Sequence, residues 1–375
     1  MLRSVHTAAL GLGLSLLAST ASAIELDVPA YVITHVPSGQ VLLAKNADMP
    51  IEPASLSKLM TLYLVFEAIK QGDLTMDSEI RVSEKAWRTG GSKMFIEVGK
   101  TARLEDMIRG IAAASGNDAC VAIAEHMAGS EEGFAQLMTA KARKISMTNT
   151  TFKNASGLPA DGQVSTARDM AQLALRLQLD FPENYKFFAI PEVTYNGIRQ
   201  VNRNGLLRAD AGFDGMKTGH VEEAGYHLVS SVLRKGTRLI SVVMGTTSPK
   251  VREAETLKGT GWVLSMYDTL PVVQKGQTIE SEVPVDMGTV PTVSLVAGDD
   301  VGLFMNRQEK SPVKAEAVYY APLRAPIKAG TVVGTLRVVN PSGNPIEVPL
   351  LASADVPELS LSGRVIARLG HLLGL

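Results

Sequence analysis

The sequence ASLSKLMT at residues 54–61 decides how this chain is interpreted. It places Ser55 and Lys58 three residues apart at the start of a predicted helix that runs to Gln71 and ends at Gly72. Residues i and i+3 share a helix face, so the hydroxyl and the amine can meet. Serine becomes a good nucleophile when a base takes its proton, and a lysine with a lowered pKa can be that base. The pair indicates nucleophilic catalysis, although alone it is a weak signal.

Two further motifs strengthen that hypothesis. SGN at residues 115–117 lies between predicted helices 104–114 and 118–128, and adds a second hydroxyl and an amide. KTG at residues 217–219 shortly precedes a predicted strand; its lysine and threonine can hold an anionic group, and Gly219 would let a substrate backbone approach an edge strand closely. Serine-lysine, serine-asparagine and lysine-threonine-glycine motifs in this order are the signature of penicillin-binding proteins and class A β-lactamases.

Other hydrolytic chemistries have no matching motif. The six histidines include no HExxH pair, and no G-x-S-x-G turn occurs. The single cysteine, Cys120, excludes an internal disulfide and a cysteine-based zinc site, and its apolar helix predicts a buried core position. We therefore expect no metal and no cofactor.

The composition predicts a folded protein of more than one domain. The chain has 375 residues, 45% of them hydrophobic, which is ample for packed cores at about 100–200 residues per domain. Its 37 basic and 38 acidic residues give a net charge of −1. A protein that neutralises a run of phosphates carries a basic surplus, so nucleic acid is not expected as a partner.

The N-terminus has the three-part pattern of a secretory signal. Arg3 is followed by an apolar run over residues 8–18 and then by small residues at 21–23. The run is too short to cross a bilayer, which needs roughly 20 residues. We expect residues 1–23 to be a signal peptide and the protein to be exported.

The remaining chain is predicted to contain an α+β domain over 24–269 and a small all-β domain over 270–356. Helical periods alternate with a hairpin and two late strands in the first part. Beyond Leu270 only short Val-rich segments broken by Gly and Pro occur, which is typical of strands.

Residues 357–375 are predicted to form an amphipathic helix. At about 100° per residue, its leucines, valine and isoleucine fill one arc, and Arg364, Arg368 and His371 lie opposite. A basic amphipathic helix is typical of attachment to an anionic membrane surface. Docking of the same helix on its own protein is the alternative.

The sequence resembles the low-molecular-mass penicillin-binding proteins, specifically the D-alanyl-D-alanine carboxypeptidases of the penicillin-binding protein 5 and 6 type, over essentially the whole chain. The segments that carry the resemblance are PASLSKLMT at 53–61, SGNDAC at 115–120, ARDM at 167–170, NRNGLL at 202–207 and DGMKTGH at 214–220. The resemblance implies a transpeptidase/β-lactamase-like domain, with an antiparallel sheet and a helical subdomain, then the β domain and the helix.

The resemblance also implies the reaction. Ser55 would attack the carbonyl between the two D-alanines of a peptidoglycan stem pentapeptide, with Lys58 as the base for acylation. Ser115 would relay a proton to the leaving D-alanine, and Lys217 would add positive charge beside it. Water would then hydrolyse the acyl-enzyme, and β-lactams would acylate the same serine.

The other implied roles concern substrate binding. Asn117 would hold the substrate amide, and Thr218 with Arg203 would bind the terminal carboxylate. The backbone N–H groups of Ser55 and His220 would form the oxyanion hole. From the residues alone, Arg203 could equally be a surface ion pair. We expect a role in cell-wall remodelling and cell shape, at the periplasmic face of the bacterial inner membrane.

Three alternatives stay open at this point. A class A β-lactamase needs a glutamate in an E-x-x-L-N loop, and the nearest acidic loop, FPEN at 181–184, does not fit. A D,D-endopeptidase would have nearly the same site. A non-enzymatic penicillin- or wall-binding protein would need no nucleophile-base pair.

Overall fold

The structure is a computed structural model that describes residues 4–11, 24–209, 211–308, 313–339 and 345–373. It divides into two compact units. The larger unit is Ala23–Val263, and the smaller is Leu264–Leu375 together with Met1–Ser22. The chain passes from one unit to the other after Val263.

The described elements are numbered in chain order. The helices are α1 Lys58–Gln71, α2 Glu84–Arg88, α3 Leu104–Arg109, α4 Asn117–Ala128, α5 Glu131–Lys144, α6 Ala167–Asp180, α7 Pro249–Met266 and α8 Leu361–Leu373. The strands are β1 Ser4–Gly11, β2 Ala30–His35, β3 Val41–Lys45, β4 Glu79–Arg81, β5 Thr101–Arg103, β6 Glu192–Tyr195, β7 Ile198–Val201, β8 Phe213–Val221, β9 Gly225–Arg234, β10 Thr237–Thr246, β11 Tyr267–Val273, β12 Thr278–Asp286, β13 Thr292–Ala297, β14 Val301–Asn306, β15 Lys314–Ala321, β16 Leu323–Arg324, β17 Val332–Val339 and β18 Ile346–Ala352.

A five-stranded antiparallel sheet in the order β3-β2-β10-β9-β8 organises the larger unit. The predicted hairpin is β2–β3, and the two predicted late strands are β9 and β10. Residues 217–219 lie within β8, not before a strand as expected. Glycines and polar side chains break the apolar pattern of β8, so its sequence does not read as a strand. As β8 is an edge strand, the motif keeps one free backbone edge.

Helix α1 supplies the nucleophile segment and is largely buried, as its apolar period predicted. The side chains of Leu59, Leu62 and Phe66 are fully buried. The helix ends at Gly72, whose φ of 85° is a conformation that glycine adopts without strain. The predicted helix began at Ser55, whereas Ala54–Ser57 form a 3₁₀ turn that leads into α1.

The helical subdomain follows the prediction except at one turn. The helix expected over 104–114 is α-helical only to Arg109, and Gly110–Ala114 widen into a π turn. Ser115 follows with a φ of 62°. Ser130 Oγ caps α5 by accepting the Gly133 N–H at 3.0 Å, as predicted.

The smaller unit is all-β up to its last helix, as predicted. A seven-stranded sheet has the order β1-β15-β17-β18-β13-β12-β16, and β11 pairs with β14. Its core includes Leu295, Leu336 and Leu350, which are fully buried. Each unit therefore has its own hydrophobic core.

The two ends of the chain differ in how they meet the predictions. Strand β1, which the sequence did not predict, pairs antiparallel with β15. The expected signal cleavage site at 21–23 lies outside the described residues. Helix α8 forms where an amphipathic helix was expected, and no helix of the described residues is long and apolar enough to cross a membrane.

Candidate active site

The 3₁₀ turn and the first residue of α1 bring the serine-lysine pair together. Lys58 Nζ donates a hydrogen bond to Ser55 Oγ at 2.9 Å and another to the carbonyl oxygen of Ser156. The lysine is fully buried, whereas the serine is partly accessible. The turn thus presents the hydroxyl to the surface and keeps the amine beneath it.

Burial prepares Lys58 to act as a base. The pKa of Lys58 is lowered from 10.5 to about 8, mainly by burial and also by the charge of Arg203, while Cys120 and Asp118 oppose the shift. A lysine with such a pKa is about one-tenth neutral at pH 7 and half neutral at pH 8, far more than an ordinary lysine. No carboxylate lies within ion-pair distance of its ammonium among the described residues.

Ser115 and Asn117 reach the same cavity from the start of α4. The Asn117 side chain is anchored by its amide nitrogen, which donates to the Gly90 carbonyl oxygen at 2.8 Å. Asn117 Oδ1 and Ser115 Oγ are buried and have no hydrogen-bond partner within the described residues. A buried polar atom without a partner is costly, so both atoms are suited to bind a substrate group.

Strand β8 forms the opposite wall. Lys217 is almost fully buried, and its Nζ donates to the Thr218 carbonyl oxygen at 3.0 Å. Burial and the charges of Lys58 and Arg203 hold its pKa well below the usual value of 10.5. A Cβ on Gly219 would lie 3.0 Å from the carbonyl oxygen of Pro53, so glycine lets β8 pack against the nucleophile turn. This close approach is to the protein's own chain; the approach of a substrate backbone to Gly219 stays a prediction.

One cavity of about 550 Å³ brings together most of the predicted site residues. It is lined by Ser55, Ser115, Asn117, Arg203, Thr218, Gly219 and His220. Lys58 and Lys217 lie buried beside it. Arg203 therefore faces the cavity instead of forming the surface ion pair left open above.

Comparison with known proteins gives the family. Residues 17–248 match the D-alanyl-D-alanine carboxypeptidase family, and residues 267–358 match the penicillin-binding protein 5 C-terminal domain. The D-alanyl-D-alanine carboxypeptidase DacA of Escherichia coli K12 is 39% identical to this chain. The match covers 91% of this chain and 87% of the length of DacA. DacF of Bacillus subtilis is 36% identical, over 88% of this chain and 86% of the length of DacF. The solved structure of penicillin binding protein 5 from Haemophilus influenzae is 36% identical, with a TM-score of 0.74, and covers 90% of this chain and all of that one.

The chain belongs to the D-alanyl-D-alanine carboxypeptidases. The resemblance drawn from the motifs is confirmed, and so is the fold class, an α+β transpeptidase-like domain followed by an all-β domain. The chain is a serine peptidase of the penicillin-binding protein 5 and 6 type.

The carboxypeptidase cavity includes a second arginine that no sequence motif indicated. Arg252, near the start of α7, is 4% exposed and lines the cavity. Its guanidinium donates to the Arg203 carbonyl oxygen at 3.2 Å, and its Nε has no partner among the described residues. Its sequence context is an ordinary helix beginning, which gave no signal of a buried cation.

Tyr226 is a second missed residue. It lies on β9 directly across from His220, and the two rings stack with centroids 3.9 Å apart. The Arg252 guanidinium also lies near this ring, 5.9 Å from its centre. The cross-strand pairing could have suggested the contact, had β8 been recognised as a strand.

Two further features bear on the chemistry, the single cysteine and the grouping of metal-ligating side chains. Cys120 is fully buried, and burial raises its pKa to about 12, so the thiol stays protonated in the carboxypeptidase. Among the described residues, no group of three His, Cys, Asp or Glu side chains is placed to hold a metal ion.

Proposed function

We propose that this carboxypeptidase removes the terminal D-alanine from peptidoglycan stem pentapeptides through an acyl-enzyme on Ser55. The observation that carries the proposal is the contact between Ser55 Oγ and Lys58 Nζ at 2.9 Å, made by a buried lysine whose pKa is lowered to about 8. A nucleophile in contact with a base of this kind is the arrangement that covalent acyl transfer requires.

Acylation follows from the positions of the polar groups. Ser55 Oγ attacks the carbonyl carbon of the D-Ala-D-Ala bond while Lys58 Nζ accepts its proton. The negative oxygen of the tetrahedral intermediate binds the backbone N–H groups of Ser55 and His220. Ser115 Oγ gives its proton to the leaving amine and takes up the one that Lys58 Nζ received, and the C–N bond breaks. Water then attacks the ester, releases the shortened peptide and restores the serine hydroxyl.

Substrate binding uses the cationic end of the cavity. The terminal carboxylate is held by Arg203 and by the Thr218 hydroxyl, since a guanidinium offers paired donors that match a carboxylate. Asn117 Oδ1, which lacks a partner in the described structure, accepts an amide N–H of the stem peptide. Both assignments orient the scissile carbonyl over Ser55.

Labelling and product analysis test the proposal together. The protein is treated with a fluorescent penicillin, and D-alanine release is measured from a pentapeptide and from intact peptidoglycan. We expect labelling at Ser55, release of D-alanine, and loss of both in Ser55→Ala. Labelling without D-alanine release would contradict the carboxypeptidase proposal and favour a penicillin-binding protein without activity. Cleavage of cross-links, or rapid turnover of the penicillin, would favour the endopeptidase or the β-lactamase.

We also propose that the enzyme is exported and attached peripherally to the periplasmic face of the inner membrane through α8. Leu361, Val365 and Ile366 are 74%, 54% and 70% exposed, an apolar face that a bilayer surface can cover. Arg364 pairs with Glu358 at 2.8 Å, so its charge is partly neutralised, while Arg368 and His371 lie outside the described side chains.

Deletion of residues 361–375 tests the attachment. The deletion starts beyond Leu359, whose N–H still bonds the Met287 carbonyl oxygen in the β unit. We expect the shortened protein to leave the membrane fraction and keep its penicillin labelling. Unchanged membrane association would contradict the anchor.

A role in wall remodelling and cell shape follows from the proposed reaction, because trimming pentapeptides removes donors for cross-linking. A strain without the enzyme should accumulate pentapeptides and lose regular shape, and the Ser55→Ala protein should not restore either. Restoration by Ser55→Ala would contradict a catalytic role in shape.

A further inference from the structure

The short segment at residues 154–158, here called the floor loop, lies directly beneath the nucleophile turn. Thr61 Oγ1 of α1 donates to its Ala155 carbonyl oxygen at 2.6 Å, and Lys58 Nζ donates to the next carbonyl oxygen, that of Ser156. Gly157 lies so close to Ala54 that a Cβ there would be 1.8 Å from the Ala54 carbonyl oxygen. The floor loop therefore contacts the helix of the base and the turn of the nucleophile.

The carbonyl of Ser156 has a chemical consequence for the base. A neutral lysine amine carries two N–H groups and one lone pair. If one N–H is donated to the Ser156 carbonyl oxygen, the lone pair can point at the hydroxyl of Ser55. The Ser156 carbonyl oxygen is fixed by the backbone, and Ser156 is fully buried, so the amine has little freedom to rotate away from it.

Asn154 holds the carbonyl in that place. Its Oδ1 accepts the Gly157 N–H at 2.7 Å, and its Nδ2 donates to the Leu158 carbonyl oxygen at 2.8 Å. These two bonds span Ser156 and close the turn around it, and Ser156 Oγ also donates to Asn154 Oδ1 at 3.4 Å. Gln163 also donates to the Leu158 carbonyl oxygen, at 2.8 Å, and its Oε1 accepts the Lys153 N–H at 3.3 Å, but it makes no bond to Gly157.

We infer that Asn154 is a positioning residue for the base: by closing the floor loop it aims the Ser156 carbonyl oxygen at Lys58 Nζ and thereby turns the amine's lone pair toward Ser55. The inference rests on the proposed function, in which Lys58 is the base for acylation. Asn154 itself touches no reacting atom and does not line the cavity.

Gln163 provides the matched control for the experiment. Asn154→Ala removes all three side-chain bonds of Asn154. Asn154→Asp keeps the acceptor for the Gly157 N–H. Gln163→Ala removes a donor to the Leu158 carbonyl oxygen and an acceptor of the Lys153 N–H, and no bond to Gly157. The rate of labelling by a fluorescent penicillin, and KM and kcat for a pentapeptide, are measured at about pH 9. Lys58 is then mostly neutral, so the charge of the new aspartate has little effect on its protonation.

We expect Asn154→Ala to lower the acylation rate and kcat by about 10- to 100-fold, the effect of displacing a general base by a fraction of its hydrogen-bond length. KM should stay within about twofold, because Arg203, Thr218 and Asn117 are not in the floor loop. Asn154→Asp should recover most of the rate, and Gln163→Ala should stay near the wild type. Asn154→Leu, which keeps the side-chain volume, replaces Asn154→Ala if that variant does not fold.

An unchanged acylation rate in Asn154→Ala would overturn the inference. So would equal losses in Asn154→Ala and Gln163→Ala, which would mean that the loop only supports the Leu158 wall, or a rise in KM matching the fall in kcat. Failure of the wild type to label at Ser55 would instead overturn the proposed function, and this inference with it.

Discussion

Lys58 is the residue whose protonation sets the pH dependence of the reaction. It acts as a base only when neutral, and its pKa lies near 8 because the side chain is buried and close to Arg203. We therefore expect the rate of penicillin acylation to reach half its maximum near pH 8 and to fall about tenfold for each pH unit below that. A stopped-flow or gel-based labelling series from pH 6 to pH 9.5 measures it. A flat profile over that range would contradict the assignment of Lys58.

Arg252 is a cavity residue whose contribution to substrate binding can be measured against a nearby control. Its buried Nε lacks a partner in the described residues, so a substrate carboxylate is a suitable acceptor for the guanidinium. Arg252→Gln should lower kcat/KM for a pentapeptide by about 10- to 100-fold, mainly through KM, since a hydrogen bond to a charged group contributes about 1.5–3 kcal/mol. Lys250→Gln, an exposed cation two residues earlier in α7, is the control and should change kcat/KM little. Similar losses in both variants would indicate a general charge effect.

At the scale of elements, the packing of the floor loop against the nucleophile turn should govern whether the site forms. Gly157 and Gly162 both have positive φ, 79° and 76°. A Cβ on Gly157 would clash with the Ala54 carbonyl oxygen at 1.8 Å, whereas one on Gly162 would first meet the flexible Lys153 side chain at 3.2 Å. We expect Gly157→Ala to abolish penicillin labelling and to destabilise the larger unit by at least about 2 kcal/mol, and Gly162→Ala to keep its labelling with a loss of about 1 kcal/mol. Labelling of Gly157→Ala at the wild-type rate would show that the floor loop and the nucleophile turn can move apart without loss of acylation.

The elements also show what the sequence could predict and what it could not. Apolar periods predicted α1 and the hairpin β2–β3, and the three motifs predicted residues that the fold brings to one cavity. Such motifs are recognisable because their residue types and spacing are local. Arg252 was not predicted because its contact with Arg203 joins segments far apart in the chain. Asn154 was not predicted because it acts within a turn. Neither contact produces a periodic pattern of apolar residues. Strand β8 was missed because its glycines and polar residues serve close packing and the site, which overrides the usual strand pattern.

At the scale of the whole molecule, the two units have separate cores, so the stability of the larger one can be followed by itself. Both tryptophans, Trp87 and Trp262, lie within Ala23–Val263, and their fluorescence reports the unfolding of that unit. His227 links this stability to pH. Its Nε2–H donates to the Glu52 carbonyl oxygen at 3.0 Å, and its Nδ1 accepts the Gly245 N–H at 3.0 Å, so the ring is neutral in the folded state.

Acid should therefore destabilise the larger unit through His227. Burial lowers the folded pKa of His227 from 6.5 to about 4, so the unfolded chain binds the proton first as the pH falls. The stabilisation is fully present above pH 6.5 and is lost progressively as the pH falls toward 4, with about 2 kcal/mol lost between pH 7 and pH 5. Urea unfolding followed by tryptophan fluorescence at both pH values measures the loss. His227→Gln offers a donor and an acceptor that do not titrate, and its loss over the same interval should be smaller by about that amount. Equal losses in the two proteins would contradict the assignment, because other groups would then carry the acid sensitivity.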